Sequence, residues 1–303
     1  MQIGMVGLGR MGGNMARRLL RGGCRVSAYD ENAAAREPLS VDGAFVAESV
    51  PALVASLDAP RIVWLMVPAG APTDAALVVL AEHLAAGDMI IDGGNANYRD
   101  SQRRARELAA RDIAFVDCGV SGGVWGLEHG YAVMFGATPA AAAAVTPLMR
   151  LLAPTPEAGW LHCGPSGAGH FVKMIHNGIE YGMMQAIAEG LTLMRNKDEL
   201  ALDLAAITQM WRHGSVVRSW LLDLTADFLR TDVQLEQIAP VVADSGEGRW
   251  TALEAIEQGV PAPVMSLALM MRFASQGRGD YSDKVLAMMR QQFGGHAVQK
   301  GSS

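Results

Sequence analysis

The sequence predicts an α/β N-terminal domain built on a doubly wound, mostly parallel sheet, followed by an all-α C-terminal domain. Three observations carry that reading. Short β-branched or apolar runs alternate with helical stretches over the first half, which is the pattern of βαβ units. A glycine-rich turn joins the first strand candidate to the first helix candidate. From about Ser166 the character changes to long Met/Leu/Ala segments at helical period with almost no strand signal. The division is placed at residues 1–165 and 166–303.

Taken in order, "QIGMVGLG" reads as the first strand and runs into a helix over 10–22. "CRVSAYD" is the second strand and closes on Asp30. "RIVWLMV" precedes a helix over 72–86, and "DMIIDGG" precedes one over 98–111. "IAFVDCGV" and "YAVMFGA" are strands, a helix spans 139–153, and "GWLHCG" completes the set. The junction "CGPSGAGHF" supplies the glycines of a turn and a serine suited to a helix start.

The composition narrows the possible functions. With 303 residues and 50% hydrophobic content, the chain has ample material for proper cores. A net charge of -6 argues against a nucleic-acid or anionic-membrane surface, so an anionic ligand must be gripped by a few local cations. Cys24, Cys118 and Cys163 form no CxxC pair, and the N-terminus carries no export signal; both fit the cytoplasm. No apolar run approaches the ~18 residues of a membrane helix. The seven histidines show no ligand spacing, so no metal is expected.

"GLGRMGGNM" places Gly7, Gly9 and Gly12 in GxGxxG spacing, directly after a strand and opening a helix. The first glycine permits a tight turn, the second lets backbone approach a pyrophosphate, and the third lets helix and strand pack closely. The phosphates then sit on a helix N-terminus, with Leu8, Arg10 and Met11 completing the cradle. This is a Rossmann-type dinucleotide fingerprint. Asp30, at the end of the second strand, is placed to accept from both ribose hydroxyls of NAD and to repel the extra phosphate of NADP. Capping of the following helix is the other role open to it.

In "KMIHNGIEYG", Lys173, Asn177 and Glu180 fall on one helical face, since i, i+4 and i+7 are neighbours. An amine, an amide and a carboxylate therefore point the same way. Apolar Ile175, Ile179, Met183 and Met184 accompany them on the same turns.

Together, "GLGRMGGNMARRL", "DGGNANYRDS", "DCGVSGGVWGLEHGYAVMFGA" and "KMIHNGIEYGMMQAIAEG" resemble the decarboxylating 6-phosphogluconate dehydrogenases, in particular their short-chain branch. The resemblance runs from residue 1 to about residue 296. The related 3-hydroxyisobutyrate dehydrogenase group shares the nucleotide motif, the SGG loop and a lysine but lacks the His-Asn-Gly-Ile-Glu-Tyr run found here. The resemblance implies Lys173 as the general base at the C3 hydroxyl and Glu180 as the acid, with Asn177 orienting that hydroxyl. A lysine base requires a pKa lowered by partial burial or a nearby cation, such as His176 or a substrate-binding arginine. Val67 and Asn95 belong to the implied cofactor set, and Asn95 also bridges to the substrate. Ser121, Gly122 and Gly123 would hold the substrate's carboxylate and hydroxyls, with His176 beside them. Tyr181 and Arg272 would reach its phosphate end.

Two departures stand out. Long members carry a GQKGTGKWT-like stretch whose lysine and threonine grip the phosphate, whereas this chain reads "ADSGEGRWT", with Ser245 and Glu247 at those positions. Either Arg249 takes over the anion contact or the substrate lacks a phosphate. Pro68 replaces a lysine common in long members, which leaves only backbone contacts to the cofactor there.

Long members also carry an Arg and a His six residues apart in a tail that reaches a neighbouring subunit. Arg290 and His296 reproduce that spacing, which implies a homodimer or homotetramer. The expected partner is thus a sugar-acid phosphate, with NAD as cofactor. The competing readings are a β-hydroxyacid dehydrogenase acting on an unphosphorylated acid and a non-catalytic NAD-binding sensor.

Overall fold

The structure, a computed structural model, describes residues 1–294 and 297–299. It divides into two compact units, Met1–Ile175 and His176–Ser303. The division falls inside a helix rather than at the expected 165/166 junction.

The first unit runs β1 (Gln2–Val6), α1 (Arg10–Arg21), β2 (Arg25–Tyr29), α2 (Ala33–Val41), β3 (Phe45–Val46), α3 (Val50–Ala55), β4 (Ile62–Leu65) and α4 (Ala71–His83). It continues through β5 (Met89–Asp92), α5 (Tyr98–Ala109), β6 (Ala114–Ser121), α6 (Gly126–His129), β7 (Ala132–Gly136), α7 (Pro139–Leu152) and β8 (Trp160–Gly164) to the start of α8 (Ala168–Arg195). The strands form one eight-stranded sheet in the order β3-β2-β1-β4-β5-β6-β7-β8. Pairing is parallel except between β6 and β7. The expected doubly wound sheet is therefore present, with one strand more than the sequence suggested. That strand, β3, pairs only Phe45 and Val46, too short a run to leave a periodic signal.

Neighbouring strand residues bury into opposite faces. Trp64, Ile91 and Val116 enter one apolar cluster, while Val63, Leu65, Ile90 and Phe115 enter the other. A sheet covered on both faces explains why its strands read as continuous apolar runs rather than alternating ones. Helix starts are capped where the sequence offers a cap: Asn32, Ser49, Asn97 and Thr138 each accept from a backbone N–H of the helix that follows. Arg18 of α1 donates to the carbonyls of Leu151, Leu152 and Ala153 at 3.0, 3.0 and 2.6 Å, closing the C-terminus of α7.

The second unit holds the rest of α8 with α9 (Leu204–Trp211), α10 (Trp220–Thr231), α11 (Glu247–Gln258), α12 (Pro263–Ser275) and α13 (Asp280–Gly294). It is all helical, as the sequence predicts. Arg212 ties α9 to α10 through Asp223 at 2.9 Å and Asp227 at 3.1 Å. Gly178 lets α8 meet α11: a Cβ there would lie 2.7 Å from Thr251 Cγ2.

Candidate active site

In the first unit a cleft of about 920 Å³ opens at the C-terminal ends of β1, β4 and β5. Gly7, Gly9, Arg10, Met11, Gly12, Asp30, Val67 and Asn95 all line it. Gly7 has φ +92°, and a Cβ on Gly12 would lie 2.0 Å from the Gly7 carbonyl oxygen, so the turn and the close crossing both need glycine. A Cβ on Gly9 would meet nothing within 4 Å; it faces the space a pyrophosphate would take. Gly9 caps α1 without any side-chain hydrogen bond, in contrast to the capped helices around it. Those N–H groups suit the phosphates of a dinucleotide. Leu8 differs from its neighbours: its side chain is buried in the core, and its N–H donates to Asp30 Oδ2 at 2.6 Å. Asp30 Oδ1 accepts from the Asn32 N–H at 2.8 Å.

Ser121 closes β6, and Gly122 (φ +144°) and Gly123 (φ +53°) turn the chain after it. Tyr131 forms the floor of this loop, since a Cβ on Gly126 would lie 1.9 Å from its ring. Burial pushes the Tyr131 phenol up to about 12. Lys173 is only 7% exposed, and α8 lies so close to β6 that a Cβ on Gly119 would come 2.3 Å from Lys173 Cβ. Asp117, fully buried on β6, accepts from the N–H groups of Gly167 at 2.5 Å and His170 at 2.9 Å and thereby caps the start of α8. Burial raises its carboxyl above the ordinary value. His170 is in turn held by Ser101, with Oγ 2.7 Å from Nδ1.

In the second unit, Asn177 is 7% exposed, His176 Nδ1 lies 3.3 Å from Asn177 Oδ1, and Glu180 Oε2 lies 3.8 Å from His176 Nδ1. The Tyr181 hydroxyl is 3.3 Å from Ser245 Oγ, and Ser245 donates to Glu247 Oε2 at 2.6 Å. The Arg272 guanidinium sits 3.5 Å from the Tyr181 ring centroid and donates to the Ala243 carbonyl at 2.8 Å. Arg249 pairs with Asp244 and lies over the Phe273 ring at 4.7 Å. Burial pushes Asp244 up, but hydrogen bonds from Arg249 and the Gly246 N–H outweigh it and hold the carboxyl below its usual value. Arg290 is exposed on α13, and His296 lies outside the described residues.

The family model for the NAD binding domain of 6-phosphogluconate dehydrogenase matches residues 2–162, and that for the 6-phosphogluconate dehydrogenase C-terminal domain matches residues 169–300. The chain belongs to the 6-phosphogluconate dehydrogenase family. A Haloferax volcanii relative, an NAD(+)-dependent, decarboxylating 6-phosphogluconate dehydrogenase, is 40% identical over 301 residues, covering 99% of both chains. A Bacillus subtilis relative that bears the family's name provisionally is 41% identical over 300 residues, covering 99% of this chain and all of its own. Among solved structures, Plasmodium falciparum 6-phosphogluconate dehydrogenase, described apo, with NADP+ and with 6-phosphogluconate, superposes with a TM-score of 0.84. It is 29% identical, and the match covers all of this chain and 67% of that one.

Where the resemblance implies a phosphate-gripping lysine and threonine, this 6-phosphogluconate dehydrogenase has Ser245 hydrogen-bonded to Glu247, with Glu247 only 5% exposed. Asp117, Gly119 and His170 were missed by motif reading. A polar side chain inside an apolar strand, "FVDCG", was the available signal for Asp117. Among the described residues no group of three or more His, Cys, Asp or Glu could hold a metal ion, and no helix is long and apolar enough to cross a membrane.

Proposed function

We propose that the chain oxidises and decarboxylates 6-phosphogluconate to ribulose 5-phosphate and carbon dioxide, with NAD as the electron acceptor. The observation that carries this reading is α8, which bears Lys173, Asn177 and Glu180 at i, i+4 and i+7, with Lys173 packed against Gly119 on the strand that ends in Ser121. Bound nicotinamide supplies the acceptor for the C3 hydride. Lys173 removes the C3 hydroxyl proton as the general base of this step. The product of oxidation is a β-keto acid, so its C1 carboxylate leaves as carbon dioxide and its electron pair passes toward the C3 oxygen. Lys173, now an ammonium, stabilises that oxygen. Glu180 then protonates the carbon that lost the carboxylate.

Asn177 orients the C3 hydroxyl, with His176 beside it. Asn95 and the Ser121-Gly122-Gly123 loop take the carboxylate and hydroxyls. Arg272, braced by a carbonyl and an aromatic ring, is the cation we assign to the phosphate together with Tyr181. Arg249, already paired with Asp244, is the weaker candidate. The active assembly is assigned as a homodimer or homotetramer in the cytoplasm. Exposed Leu253, Ile256, Val264 and Leu267 on α11 and α12 support association, and the free thiols of Cys24 and Cys118 suit a reducing compartment.

Glu247 beside the implied phosphate position favours one competing reading, an unphosphorylated sugar acid, because a carboxylate there repels a phosphate. Assaying 6-phosphogluconate, gluconate and 3-hydroxyisobutyrate side by side with NAD separates the two. The phosphorylated acid should give the highest kcat/KM, and a higher value for gluconate would overturn the assignment.

A further inference from the structure

We infer that Arg104 is a positioning residue that locks the loops after β4 and β5 into one wall for the nicotinamide half of the dinucleotide. The inference rests on reading the cleft as an NAD site. The Arg104 side chain is 0% exposed and reaches three acceptors: at the end of β5, at the residue that opens α4 and in the first turn of α4. Its Nη1 donates to Asp92 Oδ2 at 3.2 Å, its Nε to Asp74 Oδ1 at 2.8 Å and its Nη2 to the Gly70 carbonyl at 3.3 Å. Asp92 ends β5, and its other oxygen accepts from the Gly94 N–H at 3.2 Å. Gly70, at φ +83°, ends the loop that follows β4 and opens α4. One guanidinium therefore fixes both loops at once.

The two loops also touch. A Cβ on Gly94 would lie 2.7 Å from the Val67 carbonyl oxygen, and one on Gly93 would lie 2.7 Å from Met66 Sδ. Val67, Pro68, Gly94 and Asn95 line the cleft, so any drift between the loops changes its wall. β4 and β5 lie on the opposite side of β1 from β2 and its Asp30, which places this wall away from the adenosine half.

Energetics favour position over stability as the purpose. A buried ion pair loses in desolvation much of what it gains in attraction, and apolar residues of like volume do as well for stability. Only the planar five-donor fork of arginine satisfies three acceptors in fixed directions; a lysine ammonium keeps the charge and loses the fork.

The test compares NAD with ADP-ribose, which lacks the nicotinamide, by titration calorimetry on the full chain. Arg104→Lys should weaken NAD binding by about tenfold, the scale of one lost charged hydrogen bond, while ADP-ribose affinity stays within about twofold of wild type. KM for NAD should rise without an equal rise for the sugar acid. Asp74→Asn, at a half-exposed carboxylate, should give the same split at smaller amplitude, and it decides the matter if Arg104→Lys does not fold. Parallel losses for both ligands, or no loss for either, would overturn the inference. Failure of the wild type to bind either ligand would instead overturn the NAD reading of the cleft.

Discussion

Asp30 Oδ2 accepts the Leu8 N–H at 2.6 Å, so the acid that ends β2 is pinned to the glycine-rich turn. Its other oxygen holds the Asn32 N–H at 2.8 Å. The carboxylate is thus fixed at the edge of the cleft, and each oxygen keeps a lone pair for a ribose hydroxyl. The capping role open to Asp30 in the sequence falls instead to Asn32, whose side chain accepts from the Ala34 N–H while Asp30 holds the Asn32 N–H.

From this follows a preference for NAD over NADP. Asp30→Ser removes the charge that repels a 2′-phosphate and two acceptors for the ribose. The ratio of kcat/KM for NAD over NADP should fall by roughly ten- to a hundredfold, as expected for charged hydrogen bonds of ~1.5–3 kcal/mol. Equal wild-type efficiency with NADP would refute the assignment.

Lys173→Met should lower kcat by on the order of 10² to 10⁴ and leave the Kd for NAD unchanged, since the glycine-rich cradle is intact. Glu180→Gln should behave differently. Its proton is needed only after oxidation, so a first-turnover burst of NADH should survive while steady-state turnover falls. A variant without Lys173 that keeps near wild-type turnover would remove the base.

Gly119→Ala tests the seating of Lys173. The new Cβ would lie 2.3 Å from Lys173 Cβ, a contact neither partner can relieve by rotating. Overpacking of this kind costs ~1–3 kcal/mol. Urea unfolding should report that loss, and kcat should fall more than the KM for NAD rises. An unchanged kcat would show that β6 does not place the lysine.

Asp117 makes stability depend on pH. Burial raises its folded pKa, so folding favours the protonated acid. That contribution is fully present below the ordinary carboxyl range near ~4 and is lost as pH rises through the raised folded value. Asp117→Asn is uncharged at every pH. The stability of wild type minus that of the variant should therefore fall as pH rises above about 4 and level off once the raised folded value is passed, as read in denaturant titrations. A difference that grows with pH would mean that the ionised carboxylate is the form the α8 cap prefers.

Legibility divided by mechanism. The glycine cradle, Asp30 and the Lys173–Asn177–Glu180 face were readable because each depends on local spacing along one turn or one helix. β3 was invisible because two residues carry no period, and the compact units divide within α8, at 175/176, because that helix runs on past the 165/166 junction. Asp117, Gly119 and Arg104 act through partners 50, 54 and 34 residues away in sequence, at Gly167, Lys173 and Gly70, and no local pattern encodes such pairings. The pairing of Arg249 with Asp244, which commits that cation, likewise needed coordinates.

The C-terminal tail gives a test of shared sites. Truncation after Met289 should raise KM for the sugar acid strongly and leave that for NAD nearly unchanged. In the proposed homo-oligomer, mixing truncated subunits with Lys173→Met subunits should restore activity, because a truncated subunit would keep its lysine and borrow the partner's tail. Verified subunit exchange with no recovery would confine the tail to its own chain or deny it a role.

The central claim is that oxidation and decarboxylation occur on one substrate in one turnover. The most direct measurement is the ratio of NADH formed to carbon dioxide released from 6-phosphogluconate labelled at C1, followed in a single reaction. A ratio of about one is expected, with all label in carbon dioxide, as the β-keto acid chemistry requires. NADH formation with the label retained in an organic acid would contradict it.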